Sequence, residues 1–261
     1  MNLVFLGTGT SFGIPQIGCG CAVCTSSDAR DRRTRVGAVV ESDGGTRLLL
    51  DTPPELRMQL VANGIDRVDA VLFTHAHADH TPGIDDLRAL TARSHCALPM
   101  YGSAETMAKL VERFGYIFDD EARPIPGTSK PEGTMFVIEE GQHVQIGDLT
   151  ITPLAVPHGP VSVFGYRIGA LGYVTDAKDL TPRAYEILEG VRVLVLNALW
   201  RTTHPTHLSI GEAVAVADRI GAERTYLIHL THQTAHAELL AELPPHVRPA
   251  YDGLTVHIDR P

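Results

Sequence analysis

Residues 74–80 read Thr74-His75-Ala76-His77-Ala78-Asp79-His80 and follow an apolar run at 70–73. Four ligand-type side chains within six residues constrain the fold more than any other segment. A loop leaving a strand can point His75 and His77 the same way and turn Asp79 and His80 toward a second point. Imidazoles and carboxylates together suit Zn, Fe or Mn. A histidine-rich surface loop, or one structural ion, is the plainer reading of the same residues. It weakens only if other parts of the chain supply further ligands.

The rest of the chain alternates short apolar runs with helical patterns. Segments 3–6, 36–41, 48–50 and 70–73 read as strands, as do 134–138, 143–146, 149–156, 163–168, 173–174, 193–196 and 225–228. Helices are predicted over 54–63, 107–114, 182–188, 210–220 and 235–243, the first with a proline in its first turn and Gly64 just past its end. Segment 119–133 carries three prolines and two glycines and reads as a long loop, a candidate lid over a site. Two strand-rich halves, each closed by helices, predict two sheets packed together with helices outside. No repeat or linker divides the 261 residues, so one domain over 1–261 is expected.

Composition narrows the function classes. A formal charge of −9 and the lack of a Lys/Arg run argue against an extended nucleic-acid surface. A small anionic substrate remains compatible, because bound metal ions can make one pocket positive within an acidic protein. No apolar run reaches the roughly 18–20 residues that span a membrane. Residues 1–6 lack the pattern of an export signal. Cys19, Cys21 and Cys24 fall within six residues, which is poor disulfide geometry and good metal-ligand spacing. A reducing cytoplasm is therefore expected. Cys96 stands apart and is expected to be a buried free thiol.

H-x-H-x-D-H after a strand resembles the signature of the metallo-β-lactamase superfamily. The resemblance implies an α+β fold: an αββα four-layer sandwich of two mixed β-sheets flanked by helices, with a metal pair at one edge. It also implies further ligands at strand ends, in the order histidine, aspartate, histidine. His158 follows 149–156, Asp176 follows 173–174 and His229 follows 225–228. Carried over, His75, His77 and His158 would hold one ion and Asp79, His80 and His229 the other, with Asp176 bridging. Asp51, after 48–50, would support a ligand histidine from behind, although an aspartate before Pro53 also suits a plain turn.

A closed zinc site needs four ligands. His232, three residues after His229, is the candidate to complete Cys19, Cys21 and Cys24. This combination resembles the phosphoribosyl cyclic phosphodiesterases of phosphonate breakdown, where such a cysteine-rich insert binds structural zinc. The expected cofactors are thus two divalent ions, Zn or Mn, and one structural Zn. The expected activity is hydrolysis of a small, cyclic-type phosphodiester by a hydroxide shared between the ions. His207, within His204-Pro205-Thr206-His207-Leu208-Ser209, would give a proton to the leaving group, and Asp79 counts with it as catalytic. His204 is a rival, and His207 could instead pack beside the helix that Ser209 caps with Glu212.

The loop Leu6-Gly7-Thr8-Gly9-Thr10-Ser11 resembles glycine loops of the phosphodiesterase and tRNA-processing branches, but a tight turn explains it more simply. Arg33 and Arg35 could face an anion; solvated arginines are the commoner case. Other hydrolases of this fold compete: a lactonase, a glyoxalase-type thioesterase or a β-lactamase. So does a tRNA 3′-end endonuclease, which the acidic charge disfavours. An iron redox enzyme would carry a carboxylate where His77 stands. A silent binding module would have lost ligands. A homodimer is compatible with the resemblance.

Overall fold

The computed structural model describes residues 1–119, 121–122 and 124–259. The first half gives β1 (Asn2–Gly7), β2 (Gly37–Glu41), β3 (Arg47–Leu50), β4 (Ala70–Leu72), β5 (Leu98–Gly102) and β6 (Gly133–Val137). The second gives β7 (Val144–Ile146), β8 (Leu149–His158), β9 (Val161–Ile168), β10 (Leu171–Val174), β11 (Val193–Asn197), β12 (Arg224–Ile228) and β13 (Val247–Pro249), before β14 (Thr255–His257) returns to the first sheet. The helices are α1 (Leu56–Ala62), α2 (Arg88–Ser94), α3 (Ala104–Phe118), α4 (Pro182–Ile187), α5 (Ile210–Ile220) and α6 (His236–Glu242).

Two seven-stranded mixed sheets result, ordered β14-β1-β2-β3-β4-β5-β6 and β13-β12-β11-β10-β9-β8-β7. Alternation along each strand decides the layering. Leu3, Phe5, Val40, Leu48, Leu50 and Leu72 from the first sheet meet Ile151, Tyr166, Ile168, Tyr173, Val195 and Ile228 from the second in one buried cluster. The opposite faces carry Leu49, Val71 and Met100 under α1 and α3, and Leu154, Leu194 and Leu227 under α4 and α5. The layers are therefore helix, sheet, sheet, helix, as the resemblance implied.

Local signals place the helices. Ser209 caps α5 in a capping box with Glu212, and Gly221 ends it with φ +72°. Thr181 and Ser103 cap α4 and α3 through their side-chain oxygens. The sequence reading missed β5, α2, β13 and β14. These are short, and their pairing partners lie far along the chain, so no local pattern marks them. It also shortened α3, whose last turn runs past the glycine at 115. The lid expectation for 119–133 includes residues 120 and 123, which lie outside the described residues.

Two other expectations fail. Cys96 is exposed, not buried. It follows His95, which ends α2 in a left-handed turn (φ +56°) and sends the chain outward before β5. Arg33 is not solvated; its side chain is fully buried. Among the described residues no helix is long and apolar enough to cross a membrane.

Candidate metal centre

The ligand-bearing segments all end at one edge of the sandwich. β4 delivers the loop with His75, His77, Asp79 and His80. β8 delivers His158, the turn after β10 delivers Asp176, and β12 delivers His229. Among the described residues, four non-glycine residues adopt positive φ, and three belong here: Asp51 (60°), Asp176 (58°) and His229 (59°). Such a backbone costs roughly 1–3 kcal/mol each and persists where surrounding structure enforces it, most often at functional sites.

One donor group comprises His75, His77, His158 and Asp176, and a second comprises Asp79, His80, Asp176 and His229; within each, the ligand atoms lie within 4.8 Å of one another. Asp176 divides its oxygens between them. Oδ2 stands 3.7 Å from His75 Nε2 and 3.9 Å from His158 Nε2. Oδ1 stands 3.5 Å from both His80 Nε2 and His229 Nε2. Asp79 Oδ2 lies 3.5 Å from His80 Nε2 and 3.7 Å from His229 Nε2. These gaps are long for hydrogen bonds. They are close to the roughly 3.4 Å between two ligands that each sit about 2.1 Å from one tetrahedral ion. The Nε2 atoms of His75, His80 and His229 are buried and make no hydrogen bond. Buried orphan nitrogens converging on carboxylates fit divalent metal ions, so the residues present pass the test for such a group.

Electrostatics agree. Burial, then the neighbouring His80, holds His75 well below the usual imidazole range, and burial also lowers His77. Both rings are neutral at pH 7, the form that binds metal. Burial works against charge on His80 as well, but Asp176, Asp79 and Asp51 outweigh it and raise His80 well above the usual value. Burial opposes ionisation of Asp176, yet His229 and His80 keep it well below the carboxylate range. The site thus gathers buried negative charge that attracts cations.

The next layer fixes the ligands. Asp51 is fully buried and accepts from the Thr74 amide (2.8 Å), the Thr74 hydroxyl (2.7 Å) and His80 Nδ1 (2.8 Å). His80 Nδ1 therefore carries a proton, and Nε2 is the atom a metal ion would take by displacing the second one. His158 Nδ1 lies 3.0 Å from the Thr206 carbonyl, which fixes that ring in the same sense.

His207 overlooks both groups. Its Nε2 lies 3.4 Å from Asp176 Oδ2, and its ring centroid is 4.7 Å from those of both His158 and His229. Burial pulls its pKa down, against the pull of Asp176. His204 stands behind it, Nδ1 to Nδ1 at 3.4 Å, so His207 is the one of the pair that faces the ligands.

The cysteine loop meets the same edge. His232 Nδ1 lies 3.3 Å from Cys19 Sγ and 3.5 Å from both Cys21 Sγ and Cys24 Sγ. A tetrahedral zinc with sulfur at about 2.3 Å and nitrogen at about 2.0 Å sets S···N edges near 3.5 Å. The Cys24 amide lowers the Cys21 thiol to about 6, while burial pushes Cys24 up to about 11. A thiolate is therefore available at neutral pH to start metal capture.

Sequence reasoning missed the part played by Arg33. Its guanidinium donates to the carbonyls of Thr231 and Thr234, on either side of His232, and lies 3.5 Å from Asp31. Gly7 and Gly9 do more than form a tight turn: their lack of a side chain permits close packing. A Cβ on Gly7 would sit 1.9 Å from the Arg35 carbonyl and one on Gly9 2.7 Å from that of Arg33. Glycine lets the first strand end press between the 33–35 segment and Leu230, to which Thr10 donates its amide.

Known proteins share this arrangement of strands. A family model of the beta-lactamase superfamily domain matches residues 46–230. A solved diphosphatase of the PhnP family is 36% identical, over 98% of this chain and 96% of that one, with a TM-score of 0.89. Zn(2+)-bound PqqB from Methylobacterium extorquens shares the fold at 19% identity, with a TM-score of 0.81 over 99% of this chain and 100% of the other. An octanoyltransferase from Porphyromonas gingivalis is 40% identical over 99% of this chain but only 52% of its own length. The chain therefore spans about half of that relative. A match over most of the chain, and a full-length likeness at 36% identity, make this chain a member of the beta-lactamase superfamily, a metal-binding hydrolase of the PhnP branch.

Proposed function

We propose that this protein is a metal-dependent phosphodiesterase acting on small phosphodiesters. His75, His77, His158 and Asp176 Oδ2 would hold one divalent ion, Zn or Mn, and Asp79, His80, His229 and Asp176 Oδ1 the other. Cys19, Cys21, Cys24 and His232 would hold a structural Zn, a closed shell with no place for substrate. When bound, the ion pair supplies a nucleophilic hydroxide at neutral pH and offsets the charge that develops on the phosphoryl oxygens.

The chain's own residues do the rest. Asp79 stays ionised despite its burial, because His80 and His229 flank it, and it orients the attacking water by accepting a hydrogen bond. Asp51 and Thr206 keep the ligand rings in the metal-binding tautomer. His207 gives the departing alkoxide its proton. The negative charge of a bound phosphate favours the protonated ring and offsets the effect of burial. Thr206 Oγ1, 2.8 Å from His207 Nδ1, holds that ring in place.

The observation that carries this reading is His207: a non-ligand imidazole with its Nε2 buried, unpaired and 3.4 Å from the shared carboxylate. A proton donor at that point serves a leaving group with a high pKa, such as an alkoxide. The PhnP-family diphosphatase supports phosphorus chemistry. The octanoyltransferase name describes a chain about twice as long and carries less weight for this segment. Unpaired cysteines at the zinc-type site fit a reducing, cytoplasmic setting.

The test is hydrolysis of bis(p-nitrophenyl) phosphate beside a lactone and a thioester, on metal-stripped protein refilled with Mn or Zn. Diester turnover that returns with metal and exceeds the other two is expected. Brisk lactone or thioester cleavage without diester turnover would move the function to another branch of the superfamily.

A further inference from the structure

The metal centre opens on two unequal sides. Beside His75 and His77 lies a pocket of only about 40 Å³, walled by Lys109 and Arg113 of α3. Beside His207 and His229 lies a cleft of about 200 Å³. Of the two, only the second has room for the bulk of a substrate. That volume is below the roughly 300–1,000 Å³ that encloses a whole drug-sized ligand. It suits one ring system attached to a phosphate that sits at the ligand cluster.

The walls say what kind of ring. Phe12, at the tip of the loop after β1, lines this cleft while 70% exposed, so its ring is open to a partner. Trp200, following β11, lines it from another side. The Trp200 Nε1–H is buried and makes no hydrogen bond, and the His204 ring meets the indole edge-on at 5.0 Å. Polar groups are interspersed: Thr10, Gln16 and Gln233 bring hydroxyl and amide groups to the same cleft. Two aromatic rings and two amides lining one cleft match a planar heteroaromatic ring, whose faces stack and whose edges hydrogen-bond. An aliphatic or bare sugar group would leave the rings uncovered and the amides without a planar partner.

We infer that this cleft is a base-binding subsite and that the substrate is a nucleotide-type phosphodiester, with its base between Phe12 and Trp200 on the proton-donor side. This rests on the phosphodiesterase reading for the fate of the phosphate, but not for the binding of the base.

Trp200 is the chain's single tryptophan, so its fluorescence reports on this cleft alone. AMP and ribose 5-phosphate share sugar and phosphate and differ only in the base. Each is titrated against Trp200 emission in the metal-loaded protein, and each is assayed as an inhibitor of bis(p-nitrophenyl) phosphate hydrolysis. AMP is expected to quench the emission and to bind about tenfold or more tightly than ribose 5-phosphate, the range of one base–aromatic stack. Phe12→Ala should erase most of that ratio, and Phe12→Tyr should restore it. Phe12 is exposed, so neither change threatens folding. Equal binding of the two ligands, absence of quenching by both, or a ratio indifferent to Phe12→Ala would overturn the inference. A Phe12→Ala effect confined to sedimentation would do the same and mark the ring as a contact between copies. Base-selective quenching without any diester turnover would leave the subsite standing and sink the phosphodiesterase reading instead.

Discussion

Replacing Asp51 with Asn removes one charge and no volume, and the surrounding hydrogen bonds dictate the outcome. Asn tolerates the left-handed backbone that Asp51 adopts at φ +60°, so the main chain can stay. The carboxylate now accepts three hydrogen bonds: Oδ1 takes the Thr74 amide, and Oδ2 takes the Thr74 hydroxyl and His80 Nδ1–H. An amide cannot accept all three. If its oxygen faces the Thr74 amide, its NH2 faces His80 Nδ1. His80 must then move its proton to Nε2, the atom aimed at Asp79 and Asp176, and a protonated Nε2 cannot bind metal. If the amide flips, its NH2 opposes the Thr74 N–H in a buried site, which costs about 1–3 kcal/mol. Loss of such a supporting partner typically weakens metal affinity 10–100-fold, or about 1.4–2.8 kcal/mol. Competition with a chromogenic chelator should show one ion of the pair weakened by that range, with the His75–His77–His158 ion changed far less. Thermal unfolding of the stripped protein covers the flipped case. Unchanged affinity for both ions together with unchanged stability would refute the argument.

Cys21→Ser should release one zinc per chain and lower the melting temperature of the loaded protein; losing a zinc present at about 100 times its Kd removes about 2.7 kcal/mol. An unchanged metal count by elemental analysis would contradict the structural-zinc assignment. His207→Ala should slow diesters with alkyl leaving groups about 100-fold or more, and p-nitrophenyl esters much less, because only the former need a proton. Equal losses in kcat would rule out proton donation. His236, which is buried, should make stability fall with acid. Burial, then Arg30 and Arg33, holds its folded value down to about 4, against about 6.5 unfolded. The unfolded chain takes the proton first, so the contribution is present in full above pH 6.5 and is lost as pH falls toward 4. By pH 5 the loss amounts to about 2 kcal/mol. His236→Phe, which keeps a ring against Tyr251, should flatten this part of the denaturation profile relative to wild type.

The layered fold and the convergence of these His and Asp residues at one edge were legible because each rests on a local pattern. A ligand just past a strand end must lie at a sheet edge, and seven such residues in a fixed order leave few arrangements. His232 was legible because its distance from His229 is short. The role of Arg33 was not legible. Its burial depends on two carbonyls about two hundred residues away, and no pattern around position 33 anticipates acceptors there. The positive φ of Asp51, Asp176 and His229 was equally hidden, since none of them is glycine. Phe12 and Trp200 drew no attention either, because a lone aromatic reads as core until its surroundings are seen.

These hidden features share a consequence. The left-handed turns at Asp176 and His229 carry unfavourable backbone energy, and the carboxylates of Asp79 and Asp176 repel one another across the site. Something must hold that geometry before metal arrives. Arg33 is placed to do so: it grips the carbonyls of Thr231 and Thr234, while its neighbour Asp31 accepts the His236 amide (2.6 Å) at the start of α6. The 231–236 segment, which carries His232 and comes just after His229, is thereby fixed to the segment leaving the cysteine loop. The Cys19–Cys21–Cys24–His232 cluster and the His/Asp centre are thus anchored on one stretch of backbone. Disorder in the cysteine loop should reach His229 before it reaches His75 or His77, whose loop is held independently of Arg33 by Asp51 on Thr74 and by the Tyr166 hydroxyl on the Phe73 carbonyl.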